Sequence, residues 1–117
     1  MDEFILIFRH MDGTKVASPE QWQMWMKQTR DWTAGIAGQN KLVGGNGLPF
    51  ADSKVVWPKN IVTNGPFGEI KETIGGYIIV RANSIDEAVE FAKGSPVLQG
   101  DGNSVELRKI AQDDGAH

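Results

Sequence analysis

Thr63-Asn64-Gly65-Pro66-Phe67-Gly68-Glu69-Ile70-Lys71-Glu72-Thr73-Ile74-Gly75-Gly76-Tyr77 lies just past the middle of the chain, and the reading of the other segments depends on it. Asn64-Gly65-Pro66 carries turn chemistry: Asn caps a turn and tolerates left-handed backbone, Gly supplies positive φ, and Pro fixes its own. Glu69, Lys71 and Glu72 follow as alternating charge. Gly75-Gly76 then opens a run to Ala82 with a period of two. Tyr77, Ile79 and Arg81 share one face, and Ile78, Val80 and Ala82 share the other. The pattern predicts a central strand, and two glycines at its start let close-packed neighbours approach it.

Residues 3–11 predict a second central strand. Phe4, Leu6, Phe8 and His10 fall on one face, and Ile5, Ile7 and Arg9 on the other. Asp12-Gly13 marks a turn. Ser18-Pro19-Glu20-Gln21 then opens a helix, with Ser18 as N-cap and Pro19 at the first helical position. Its stripe is Trp22, Trp25, Met26, Trp32 and Ile36, with Thr29 and Thr33 on or near it; Gln23, Lys27, Arg30 and Asp31 take the opposite face. The glycines at 35 and 38 predict its end.

Leu42-Val43 leads into Gly44-Gly45-Asn46-Gly47 as a short strand or an extended entry to a turn. Lys54–Trp57 and Ile61–Thr63 read as a hairpin across Pro58-Lys59-Asn60. Ser84 with Glu87 three residues on is a capping box, followed by a buried stripe of Ile85, Ala88, Phe91 and Ala92 and a stop at Gly94-Ser95-Pro96. Ser104–Ile110 is the last strand, with Val105, Leu107 and Lys109 on one face.

The order is that of a ferredoxin-like βαββαβ fold, class α+β, with a β-hairpin inserted before the third main strand. It forms a single domain over 1–117 with its core at about 3–111. The helices belong on one face of the sheet. The other face is too apolar to leave in water, and two such sheets face to face make a dimeric α+β barrel, so the expected partner is a second copy of the chain.

The 117 residues are 40% hydrophobic and 23% charged, a globular balance. The net charge of −3 and the lack of a Lys/Arg run give nucleic acid no electrostatic footprint. There is no cysteine, which excludes disulfides and thiol chemistry. Phe4–Phe8 is too short for a signal-peptide core or a membrane span, so a cytoplasmic location is expected. No His/Asp/Glu cluster has metal-ligand spacing, the 44–47 glycines do not follow a phosphate loop, and no cofactor is expected.

Asn64-Gly65-Pro66-Phe67-Gly68-Glu69-Ile70-Lys71-Glu72, followed by Gly75-Gly76-Tyr77, resembles the hallmark of the YCII-related family, and most closely the branch named for its Asp-Gly-Pro-Phe (DGPF) motif. Ser84–Ala88, Ser95-Pro96 and Val105–Arg108 are similar to the family's second helix opening, helix exit and closing strand, so the resemblance covers roughly residues 4–111. It implies a dimeric α+β barrel. It implies no settled activity; many members are encoded beside extracytoplasmic-function sigma factors, which implies an interaction module in that signalling as one reading. In a shorter branch a first-helix His and an Asp form an acid/base pair. Here the first helix has no His, and Asn64 stands where the motif has Asp. An amide cannot ionise, but it serves a turn equally well.

Two readings of function follow. In one, the protein is a small homodimer that binds a small ligand or a partner in a barrel-edge pocket, without catalysis. In the other, it is a cofactor-independent enzyme in which His10, with Glu69 or Glu72, moves protons on a small cyclic or anionic substrate. The candidate ligand-binding residues are Asn64, Phe67, Lys71, Arg81, Arg108 and Trp25. Arg81 and Arg108 are expected on adjacent inner strands, where an arginine needs a partner or an anion. Glu106 is the expected partner of Arg108. Trp22, Trp25 and Trp32 are expected to serve core packing first and a pocket wall second.

Overall fold

Two strands of matching pattern, β1 (Asp2–His10) and β5 (Thr73–Ala82), pair antiparallel at the centre of a four-stranded sheet. The computed structural model describes residues 1–11, 18–49, 52–64 and 73–112. β2 (Leu42–Gly47) flanks β5, and β6 (Ser104–Lys109) flanks β1, giving the order β2-β5-β1-β6. With helices α1 (Pro19–Gly38) and α2 (Ile85–Lys93), this is a ferredoxin-like α+β arrangement. The inserted hairpin, β3 (Lys54–Trp57) and β4 (Ile61–Asn64), forms its own two-stranded sheet.

The core lies between the sheet and the helices. Phe4, Leu6, Ile78, Val80 and Ala82 project from the two central strands onto Ile36 of α1 and Ala88 and Ala92 of α2. Leu6 and Val80 are fully enclosed. The small residues of α2 let the helix sit close to the sheet. Ile85, expected in the buried stripe, is 43% exposed, because it occupies the first turn at the edge of the contact.

Both helix starts follow their sequence signals. The Ser18 hydroxyl accepts from the Gln21 backbone N–H at 3.1 Å, and the Ser84 hydroxyl from that of Glu87 at 3.2 Å. α1 ends at Gly38, the second of the glycines expected to stop it. Gln39 caps it, and Asn40 follows with a left-handed φ of 60°. Asn40 N–H bonds to the Ala37 carbonyl at 2.9 Å, and Lys41 N–H to that of Ile36 at 3.2 Å, the paired bonds of a Schellman cap. Lys41 then bonds the Glu87 carboxylate at 2.7 Å, joining the entry of β2 to the start of α2. That bond is the main cause holding the Glu87 carboxyl below its ordinary range.

The helix-free face carries Ile5, Ile7, Tyr77 and Ile79 in its middle, with Ile5 opposite Ile79 and Ile7 opposite Tyr77. Glu3 stands opposite Arg81 at one end. At the other, Arg9 bonds Glu106 at 2.8 Å. Two expectations are corrected here. Arg81 and Arg108 are not on adjacent inner strands: β1 lies between them, and β6 is an edge. Glu106 pairs with Arg9 rather than Arg108, because Glu106 stands opposite Ile7 and Arg9 is the next residue on that face.

The hairpin turns through Lys59 and Asn60, both at positive φ, 67° and 61°. Val56 is 69% exposed and Val62 57% exposed on one side, with Ile61 also exposed. The molecule measures 45 × 39 × 21 Å. Its thinnest dimension is about that of one sheet with one helix layer.

Candidate functional site

The end of β1 is positioned by a short network. Met11 N–H donates to the Asn103 side-chain oxygen at 2.9 Å, and the Asn103 amide donates to the Val97 carbonyl at 3.1 Å. Val97 lies in a 3-10 turn (Pro96–Gln99) entered through buried Ser95, whose hydroxyl accepts from Val97 N–H. This ties β1 to the segment after α2 and aims His10 onto the helix-covered side.

On that side a cavity of about 440 Å³ opens between α1 and the sheet. This is the size of a site for a small organic molecule. Its helix wall is Trp22, Trp25, Met26, Thr29, Arg30 and Thr33, residues recurring at three- and four-residue spacing. Phe8 and His10 line it from β1, and Pro96 and Val97 close one side.

The floor is glycine. Gly45 and Gly47 of β2 and Gly75 and Gly76 of β5 all border the cavity, with Gly47 and Gly76 paired across the strands. Gly45, at φ 152°, lies so close to Tyr77 and Ile78 that a side chain has no room. Gly75 is the extra residue where the β1–β5 register shifts: Phe8 faces Gly76 and Arg9 faces Ile74. The His10 ring occupies the space where a Cβ on Gly75 would stand. The double glycine therefore serves both the strand start and the cavity: the missing side chain at 75 makes room for the His10 ring, and that at 76 for the close approach of Phe8 and β2.

The His10 ring makes no hydrogen bond with any described residue, and burial pushes its pKa below the ordinary 6.5. A neutral imidazole at pH 7 can both accept and donate a proton. Arg30 makes no ion pair among the described residues, although its backbone carbonyl accepts from the Thr33 hydroxyl. Both side-chain groups of Asn103 are engaged in positioning β1, so its role is structural.

Of the residues singled out in the sequence, His10 and Trp25 meet at this cavity. Arg81 and Arg108 lie on the opposite face. Asn64 ends β4, where its side-chain oxygen accepts from Lys54, its partner across the hairpin. Phe67, Glu69, Lys71 and Glu72 lie outside the described residues. Among the described residues no group of three His, Asp or Glu is placed to hold a metal, and no helix is long and apolar enough to cross a membrane.

Two tryptophans depart from the expected core role. Trp22 is 57% exposed, and both Trp22 and Trp25 border the cavity. Only Trp32 joins the core: it meets Phe8 edge-on at 5.9 Å, and its indole N–H donates to the Phe91 carbonyl at 3.0 Å. Arg30, assigned by period to the solvent face of α1, borders the cavity because it follows Met26 and Thr29 at the flank of the stripe. The joint signal was an aromatic stripe facing two glycine pairs.

Residues 4–112 match the YCII-related domain, nearly the whole chain. The chain belongs to the YCII-related family. A stretch of 53 residues is 36% identical to an uncharacterized protein of Rhizobium meliloti (strain 1021), covering 45% of this chain and 43% of that protein. The family domain thus takes in both walls of the cavity, from Phe4 on β1 through α1 to the closing strand.

Proposed function

We propose that this YCII-related chain binds a small, largely apolar organic molecule in the cavity between α1 and the sheet, and that it does so as a cytoplasmic homodimer. The cavity carries this reading: about 440 Å³, an aromatic wall, a glycine floor and few polar groups. The homodimer is supported by the helix-free face, with Ile5, Ile7 and Ile79 at its centre and Glu3, Arg81, Arg9, Glu106 and Arg108 around them, the apolar-centre, charged-rim pattern of an interface. Within the family, the resemblance of residues 64–67 to the Asp-Gly-Pro-Phe motif supports the DGPF branch as the reading.

The test is a fragment screen by ligand-observed NMR on wild type and on Thr29→Phe, which fills the cavity from α1. Hits that bind wild type and are lost in Thr29→Phe support the site. Hits that bind both proteins equally contradict it.

A second reading is favoured by His10, whose ring is unpaired among the described residues and held neutral by burial. In that reading His10 is a general base for a bound carbon or oxygen acid, and Glu69 or Glu72 is the carboxylate partner available in the sequence. Deuterium exchange into a bound hit, lost in His10→Gln while binding persists, is the expected outcome. Exchange that survives His10→Gln removes His10 from that role.

A further inference from the structure

Among the described residues the cavity has one cation on its wall and no carboxylate. Among the described residues its polar side chains are His10, Arg30, Asn103, two threonines and Ser95, and of these Arg30 alone carries a fixed positive charge. Arg30 is not neutralised by any described acid: the acidic residues of α1 are Glu20 and Asp31, and Asp31 pairs with Lys27 at 3.5 Å. The other arginines of the sheet are differently placed, Arg9 bonded to Glu106 and Arg81 in register with Glu3 on the far face. A guanidinium without an acidic partner among the described residues, on a wall that also carries Trp22, Trp25 and Phe8, offers a planar two-donor fork to an apolar slot.

We infer that the ligand of this cavity is a planar organic carboxylate, its ring system between the α1 aromatics and the glycine floor and its carboxylate on Arg30. This rests on the cavity being the binding site. Three features select the class. The glycine floor is flat because it has no side chains, which suits a ring rather than a branched chain. Among the described lining residues there is one arginine and no lysine, which matches a monoanion, where a phosphate dianion calls for more positive charge. The chain's net charge of −3 gives anions no general attraction, so recognition has to be local to Arg30.

Isothermal titration of 2-naphthoate and its neutral isostere 2-naphthamide into the full chain tests this. Wild type should bind the carboxylate about tenfold more tightly than the amide, the scale of one charge-assisted contact. Arg30→Gln should erase that preference while keeping amide binding, and Arg30→Lys should restore part of it. Equal binding of the two probes by wild type, or a preference that survives Arg30→Gln, overturns the carboxylate assignment and leaves the cavity as an apolar site. Binding of neither probe, with the Thr29→Phe comparison also showing no cavity hits, overturns the cavity reading and this one with it. Arg30 is exposed on α1, and matching thermal melts confirm that the variants are folded.

Discussion

The His10 imidazole lies over Gly75, in the space where any other residue at 75 would place its Cβ. The register shift between β1 and β5 falls at the same point. The bulge and the missing side chain together seat the histidine against the sheet at the cavity edge.

Gly75→Ala tests that seating. The methyl group meets the end of a movable side chain rather than backbone, so the ring can swing away at small cost. We expect a stability loss within about 1 kcal/mol by urea denaturation, while the His10 pKa, followed by NMR, moves up toward 6.5 as the ring gains water. An unmoved His10 titration in a folded Gly75→Ala protein contradicts the seating.

The pH dependence of stability has a definite sign. His10 in the folded protein titrates below 6.5, so the unfolded chain binds more protons in the window beneath that value. The stabilisation is fully present above pH 6.5 and declines as pH falls through the folded pKa. The thermal midpoint of wild type should therefore fall more steeply below that pH than that of His10→Gln. Parallel curves for the two proteins rule out this linkage. Among the described residues Arg30 is the charged group that shares the cavity wall with His10, and the cause of the lowered His10 pKa is burial.

Trp32 separates two contributions. Trp32→Phe removes the N–H bond to the Phe91 carbonyl, which keeps its bond from Gly94 N–H at 3.1 Å, so the cost is about 1 kcal/mol. Trp32→Ala also removes the edge contact with Phe8 and leaves a void, at about 3 kcal/mol. Chemical denaturation giving equal costs for the two variants contradicts the packing role.

The fold was legible because each main element carried its own period and cap. Ser18 and Ser84 set the two helix starts, and the alternation in β1 and β5 marked both as central. The end of α1 at Gly38 matched its glycines, while the left-handed residue that completes the stop is Asn40, a type that tolerates that conformation without being glycine. The site was half legible. His10 and Trp25 are types that draw attention, whereas Arg30 sits at the flank of a stripe, where a shift of one residue decides between solvent and cavity. Arg81 and Arg108 attracted notice as charges on apolar strands. Their strand order depends on long-range pairing that no local pattern encodes.

The proposed homodimer has a direct prediction. Sedimentation should give about twice the 12.8 kDa chain mass, and Ile79→Lys, on the helix-free face opposite Ile5, should give a folded monomer. A wild-type monomer refutes the helix-free face as a homodimer interface.

The central claim is that the helix-side cavity, not the helix-free face, receives the ligand. Crystallographic soaking with a set of aromatic fragments tests it most directly. The account predicts fragment density between Trp25 and Gly75, in contact with His10. Fragments seated only on the Ile5–Ile79 face or on the β3–β4 hairpin, with that cavity bare, would contradict it.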